Sequence, residues 1–216
     1  MNSIIRVSII VAFFLSLQAS RVSGQTLGDV LNPEMPSTWI GVDFSHARYS
    51  GETNNVSFEE MKEYFAEINS LILSETGKYN LNKTFHKTAV IKNTDAIKKI
   101  NSGMNADNLL SHKIVEINRI EKKHVAEILK SYDTGNIQGT AIVVIIEDIS
   151  KFWEQASMWV VNFDPVSKEI ITASKHIGEA SGIGFRNHWA SAIDQVLGVI
   201  RSKEYKKWQH QFATKK

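Results

Sequence analysis

The 216-residue chain has no cysteine and only 3 prolines. Without thiols there is no disulfide framework, no Cys-ligated zinc or iron–sulfur cluster, no thiol nucleophile and no cysteine to carry an N-terminal lipid. There is no internal repeat, low-complexity tract or Pro/Gly/Ser-rich linker to divide the chain, and its length suits one domain. Chemical signatures are missing too. The histidines at 46, 86, 112, 124, 176, 188 and 210 form no H-x-x-x-H pair and no H-E-x-x-H helix. No G-x-x-x-x-G-K-[ST] loop occurs either. These absences predict no metal, no cofactor and, on balance, no catalysis.

What is present starts at the N-terminus. Residues 1–24 open with Arg6, continue through the apolar run VSIIVAFFLSL (7–17) and end in the small residues Ser23 and Gly24. That order is a secretory signal peptide, cut near Gly24–Gln25 or alternatively after Ala19. Its apolar middle is shorter than the roughly 20 residues a bilayer span needs. The expected product is exported, periplasmic or extracellular, with no stable membrane span after cleavage. Removing Arg6 and Arg21 leaves 23 basic against 23 acidic residues, so the mature chain is neutral. This balance, with export, argues against nucleic acid. Charge is uneven, however. Arg201, Lys203, Lys206, Lys207, Lys215 and Lys216 face one acid, Glu204, in the last 16 residues. Such a tail reads either as a solvated helix end or as a weak contact for an anionic surface.

Residues 25–37 read as a lead-in loop, and 38–216 as a single α+β domain. Trp39–Ser45 is predicted as a strand. Ser57 and Glu60 form an S-x-x-E capping box, followed by Phe58, Met61, Phe65, Ile68 and Ile72 on one helical stripe. Phe85–Lys92 reads as a second strand, Thr94 as the cap of a short helix, and 119–132 as another helix. Ala141–Ile146 is continuously apolar, as expected of a strand buried on both faces. With Ala156–Phe163 and Glu169–Ile177 it predicts a C-terminal three-stranded meander in a mostly antiparallel sheet packed by amphipathic helices. Trp189, Ile193, Val196, Leu197 and Ile200 predict the closing helix.

Two segments carry candidate chemistry. The first joins a strand to the closing helix: Gly182 and Gly184, then Arg186, Asn187 and His188. Its glycines and helix start could bring backbone N–H groups and a guanidinium to a ligand; alternatively it is a strained loop, with Asn187 or Ser181 capping and Trp189 anchored in the core. The second is Asp43-Phe44-Ser45-His46 at a strand end. Asp43 and His46 cannot form a local triad on an extended strand, because their side chains alternate between faces. The adjacent acids Glu147 and Asp148 face opposite ways for the same reason, unless a bulge intervenes. Of the five tryptophans, Trp153 is the one expected to be exposed.

The stretches GVDFSHARYSG (41–51), AIVVIIEDISKFWEQASMWVVNFDPVSKEII (141–171) and GIGFRNHWASAI (182–193) resemble a family of exported bacterial proteins of unknown function. More distantly, the order of helix, central strand, hairpin and terminal helix is similar to the small α/β domains of curli secretion factors and of the N-terminal part of TolB. That likeness implies action by protein contacts in the periplasm, although the lipidation cysteine of the lipoprotein members is missing. Two functions are therefore expected. One is a non-catalytic module binding a protein or cell-envelope component; the other is a hydrolase or small-ligand enzyme whose cleft joins 43–48 to 178–189.

Overall fold

The computed structural model describes residues 24–53, 56–111, 113–114, 116–135 and 137–214. The signal-peptide expectation falls on residues 1–24 and, but for Gly24, lies outside them, as do Lys215 and Lys216. In chain order the elements are α1 (Leu27–Leu31), β1 (Ser37–Asp43), β2 (Arg48–Ser50), α2 (Phe58–Ser74), α3 (Leu81–Thr84), β3 (Val90–Lys92), α4 (Asp95–Ser102), α5 (Ala106–Leu109) and β4 (Leu110–Ser111). There follow α6 (Lys122–Lys130), β5 (Thr140–Ser150), β6 (Gln155–Phe163), β7 (Ile170–Glu179), α7 (Phe185–Val199), a π-helical turn (Ile200–Glu204) and α8 (Tyr205–Ala213). Among the described residues, no helix is long and apolar enough to cross a membrane.

One mixed sheet carries all seven strands. β5 runs through its middle, buried along its whole length. On one edge it pairs parallel with β1 and then β2, which follow one another along it. β3 flanks β1 and β4 flanks β2, both parallel. On the other edge β6 and then β7 pair antiparallel. Four of the six strand pairings are thus parallel, and the expected mostly antiparallel sheet with a meander is overturned. The reason is non-local. Between β1 and β5 the chain makes helical crossovers, and a crossover returns a strand parallel to the one it left. Hydrophobic periodicity specifies which faces are buried and says nothing about direction.

The crossovers cover both faces. Alternation along β5 sends Ile142, Val144 and Ile146 to a core with Phe65 and Ile68 of α2 and Trp189 and Ile193 of α7. It sends Ala141, Val143 and Ile145 to a second core with Ile97 of α4 and Val125 and Leu129 of α6. α2 forms where the sequence requires it: Ser57 and Glu60 close a reciprocal capping box, and Met61, Phe65, Ile68, Leu71 and Ile72 are buried. Each such side chain contributes about 1.5–3 kcal/mol by leaving water.

Three local expectations fail. The lead-in contains α1, with Thr26 and Asp29 in a capping box. Most of the expected strand 85–92 is instead the end of α3 and a turn, leaving three strand residues. Thr94 starts α4 without a side-chain cap bond.

Beyond Trp39, β3 no longer flanks β1, and two helix asparagines take over its outer edge. Asn69 of α2 accepts from the Val42 N–H at 2.8 Å and donates to its carbonyl at 3.0 Å. Asn101 of α4 donates to the same carbonyl at 2.9 Å and accepts from the Phe44 N–H at 2.9 Å. A carboxamide offers donor and acceptor together, so it satisfies an orphaned strand edge as a neighbouring strand would.

Candidate functional site

At the carboxyl end of β5 two connections meet. The Ala180 N–H donates to the Glu154 carbonyl at 2.6 Å, fastening the β7–α7 loop to the β5–β6 turn. The Ser181 N–H donates to Ser191 Oγ at 2.7 Å and folds the loop back onto α7. Gly184, at φ 80°, is the N-cap residue, a backbone state that only glycine reaches cheaply. No side chain caps this helix, so the expected Asn187 or Ser181 cap is absent. Asn187 instead accepts from Arg186 Nε at 3.2 Å.

Behind the loop lies a cavity of about 220 Å³ between Tyr49, Phe185, His188 and Trp189, rimmed by Gly182 and Gly184. The aromatic groups hold one another: Tyr49 stacks on Phe185 at 6.0 Å and meets Trp189 edge-on at 6.1 Å, while His188 meets Trp189 edge-on at 4.8 Å. Burial pushes the Tyr49 hydroxyl up to about 12, so it stays a neutral donor. His188 Nε2 is buried without a hydrogen-bond partner. Arg186 turns away toward Glu67 of α2, at 3.6 Å across a half-exposed pair. Around the cavity stand exposed apolar groups: Phe152 and Trp153 on the turn are 59% and 61% exposed, and Ile183 on the loop is 93% exposed. Gly182, Gly184 and His188 therefore come together, Arg186 and Asn187 sit beside them, and Trp153 is exposed as expected.

Asp43 does not join them. Asp43 is fully buried toward the second core, accepting from Tyr132 Oη at 2.6 Å and from the Ser45 N–H at 2.7 Å. The His46 carbonyl accepts from the Arg119 guanidinium. Burial lowers the His46 pKa, Arg119 and Arg48 lower it further, and Asp43 opposes them. The sheet thus lies between Asp43 and the 182–188 loop, and Asp43 shares no cleft with it.

Alternation concealed a second polar cluster. The β5–β6 register shifts between Ile146 and Asp148, and this bulge turns both Glu147 and Asp148 toward the second core's side. Glu147, fully buried, accepts from the Ile120 N–H, from Ser157 Oγ at 2.7 Å and from Lys175 Nζ at 2.5 Å. Asp148 accepts from the Glu116 N–H at 2.9 Å, while its other oxygen is buried without a partner. Ser150 Oγ donates to the Ile114 carbonyl at 2.7 Å. These side chains pin the connector between β4 and α6 to the end of β5, which gives the two acids a structural task. Among the described residues no group of three potential ligands could hold a metal.

Burial pushes the Asp148 carboxyl up to about 6, with Glu116 and Glu147 repelling its charge; the Glu116 N–H and Arg119 act in the opposite direction. The folded value exceeds the unfolded one, about 3.9, so the folded chain holds this proton more tightly. Its contribution to stability is present at low pH and is lost as pH rises from about 4 through 6. Asp148→Asn is expected to raise the melting temperature at pH 7.5 more than at pH 4.5. Equal shifts at both pH values in thermal melts would remove Asp148 from the balance.

No protein-family model matches this chain, and no curated protein matches it in sequence.

Proposed function

We propose that this chain is an exported, non-catalytic binding module that seats one bulky apolar side chain of a protein partner behind the 182–189 loop. The carrying observation is the gathering of exposed apolar groups. Of the eight large apolar side chains that stand exposed among the described residues, Ile114, Phe152, Trp153 and Ile183 lie at the carboxyl end of β5. Exposed apolar side chains gathered at one end of a fold mark an interaction site. Size selects the kind of ligand: 220 Å³ is below the roughly 300–1,000 Å³ of small-molecule sites. An anchor side chain in an aromatic pocket ringed by apolar contacts is how protein interfaces concentrate binding energy.

A photo-crosslinking residue placed at 183 or 153 in the native host, with 166 as an exposed control, tests this reading. The expected result is one discrete adduct from 183 and 153, absent from 166 and lost when Thr53→Trp plugs the cavity. An adduct that forms equally from 166, or survives the plug, would overturn it.

A further inference from the structure

Asp164, which opens the β6–β7 turn, carries a carboxylate in a residue only 4% exposed. One oxygen accepts from the N–H groups of Val166 at 2.7 Å and Ser167 at 3.1 Å, which shapes the turn. The other accepts from the Gln25 N–H at 2.7 Å. Burial pushes the Asp164 carboxyl up, but the N–H groups of Gln25, Ser167 and Val166 outweigh it and hold the pKa below the usual carboxylate range. The group is therefore charged at neutral pH. A buried carboxylate is ordinarily matched by a cation. Among the described residues, none forms an ion pair with Asp164. Lys168 acts on it through space, while its ammonium binds the Tyr132 carbonyl at 3.0 Å and the Thr134 hydroxyl.

We propose that cleavage of the Gly24–Gln25 bond supplies the missing cation, the freed α-ammonium of Gln25 pairing with Asp164 and latching the new N-terminus to the β6–β7 turn. The step is a hydrolysis. Water's oxygen goes to the Gly24 carbonyl carbon, the C–N bond breaks, and both water protons end on the Gln25 nitrogen as Gly24 ionises to a carboxylate. Two independent observations meet at this bond. The leader pattern places a cut here or after Ala19, and a cut after Ala19 would leave the Gln25 nitrogen an uncharged amide. The nitrogen that the first cut frees is the atom already set against the unmatched oxygen. The body also delivers the terminus to that place. Val30 of α1 lies in the first core, Lys87 Nζ donates to the Asp29 and Asn32 carbonyls at 2.8 and 2.7 Å, and Tyr205 Oη donates to the Leu31 carbonyl at 3.2 Å. With α1 held there, the pairing costs little further ordering. The latch needs export and the cut, and is independent of the 182–189 loop.

The test uses the chain recovered from its native host, where N-terminal sequencing is expected to read Gln25. Pulsed acylation of the α-amine with an anhydride, followed against pH, is expected to show a midpoint at least about one pH unit above the roughly 7.7–8.0 of a free terminus, which leaves about tenfold less reactive amine at pH 7. The same chain in denaturant, and a folded Asp164→Asn chain, are expected to show the ordinary midpoint. The other charged groups near this point are Lys168 and Glu169 on the turn, Asp133 on the α6–β5 connection and Asp29 on α1. All four are present in both folded chains, so the difference between those chains isolates Asp164. A terminus at Ser20, or at any residue other than Gln25, would overturn the proposal. So would a terminus closed to the lactam with ammonia lost, which has no charge to pair. Shielding by neighbouring atoms alone would slow acylation at every pH without moving the midpoint, and that result would overturn it too.

Discussion

Glu147→Ala is expected to cost about 3–5 kcal/mol of folding stability, the range for removing one partner of a buried charge pair. Three groups depend on this carboxylate: the Ile120 N–H, the Ser157 hydroxyl and the Lys175 ammonium. Lys175 is 20% exposed at its side chain, so it can recover only part of its lost hydration. Ile120 also anchors Trp159, whose Nε1 donates to its carbonyl at 3.1 Å. Loosening Ile120 therefore loosens a half-buried tryptophan that packs against the second core. Glu147→Gln keeps the shape and the neutral hydrogen bonds and should lose less. Chemical denaturation measures both. A loss below about 1 kcal/mol for the alanine variant would show that the cluster contributes little to holding the connector.

The second large effect is steric. Gly178→Ala would put a methyl group on β7 where α7 lies closest, and that methyl would collide with the Ala192 carbonyl oxygen. Neither backbone can yield without moving a packed layer, because Ala192 and Ile193 are themselves buried. Overpacking of this kind costs typically about 1–3 kcal/mol and more where backbone must shift. Gly184→Ala makes an informative contrast. Its position has nothing within 4 Å, so only the backbone conformation opposes the change, about 1–3 kcal/mol, with no neighbouring backbone forced to move. Denaturation midpoints should rank Gly178→Ala well below Gly184→Ala. A reversal would mean that α7 rides on β7 less closely than described.

The contrast between what the sequence displayed and what it hid follows the range of the interactions. The start of α2 was legible because Ser57, Glu60 and the Met61–Phe65–Ile68 stripe act within a few residues of one another. The burial of Ala141–Ile146 was legible because an unbroken apolar run leaves a strand no face suited to water. Strand direction was not legible: it depends on where crossovers return the chain, which no local pattern records. Phe85 misled in another way, since it is buried from the end of α3 rather than from a strand.

At the candidate site the same division holds. The glycines marked a turn between strand and helix and Trp189 a buried anchor beyond it, while the pairing of Arg186 with Glu67 of α2 left no local trace. The Glu147–Asp148 cluster stayed hidden because a bulge overrides alternation. A pair of acids ending an otherwise greasy strand was its one visible trace. Asp43 and His46 were legible as polar residues at a strand end, but their side of the sheet was not.

The asparagines on β1 have one more consequence. Asn69 and Asn101 bind the main chain of Val42 and Phe44 rather than any side chain, so they recognise a position along the strand irrespective of what is written there. Sliding β1 by a single residue would break all four contacts at once and leave Asn69 only its bond to the Phe65 carbonyl. The two helices thus work as a vernier, fixing the alignment of the first strand from outside the sheet.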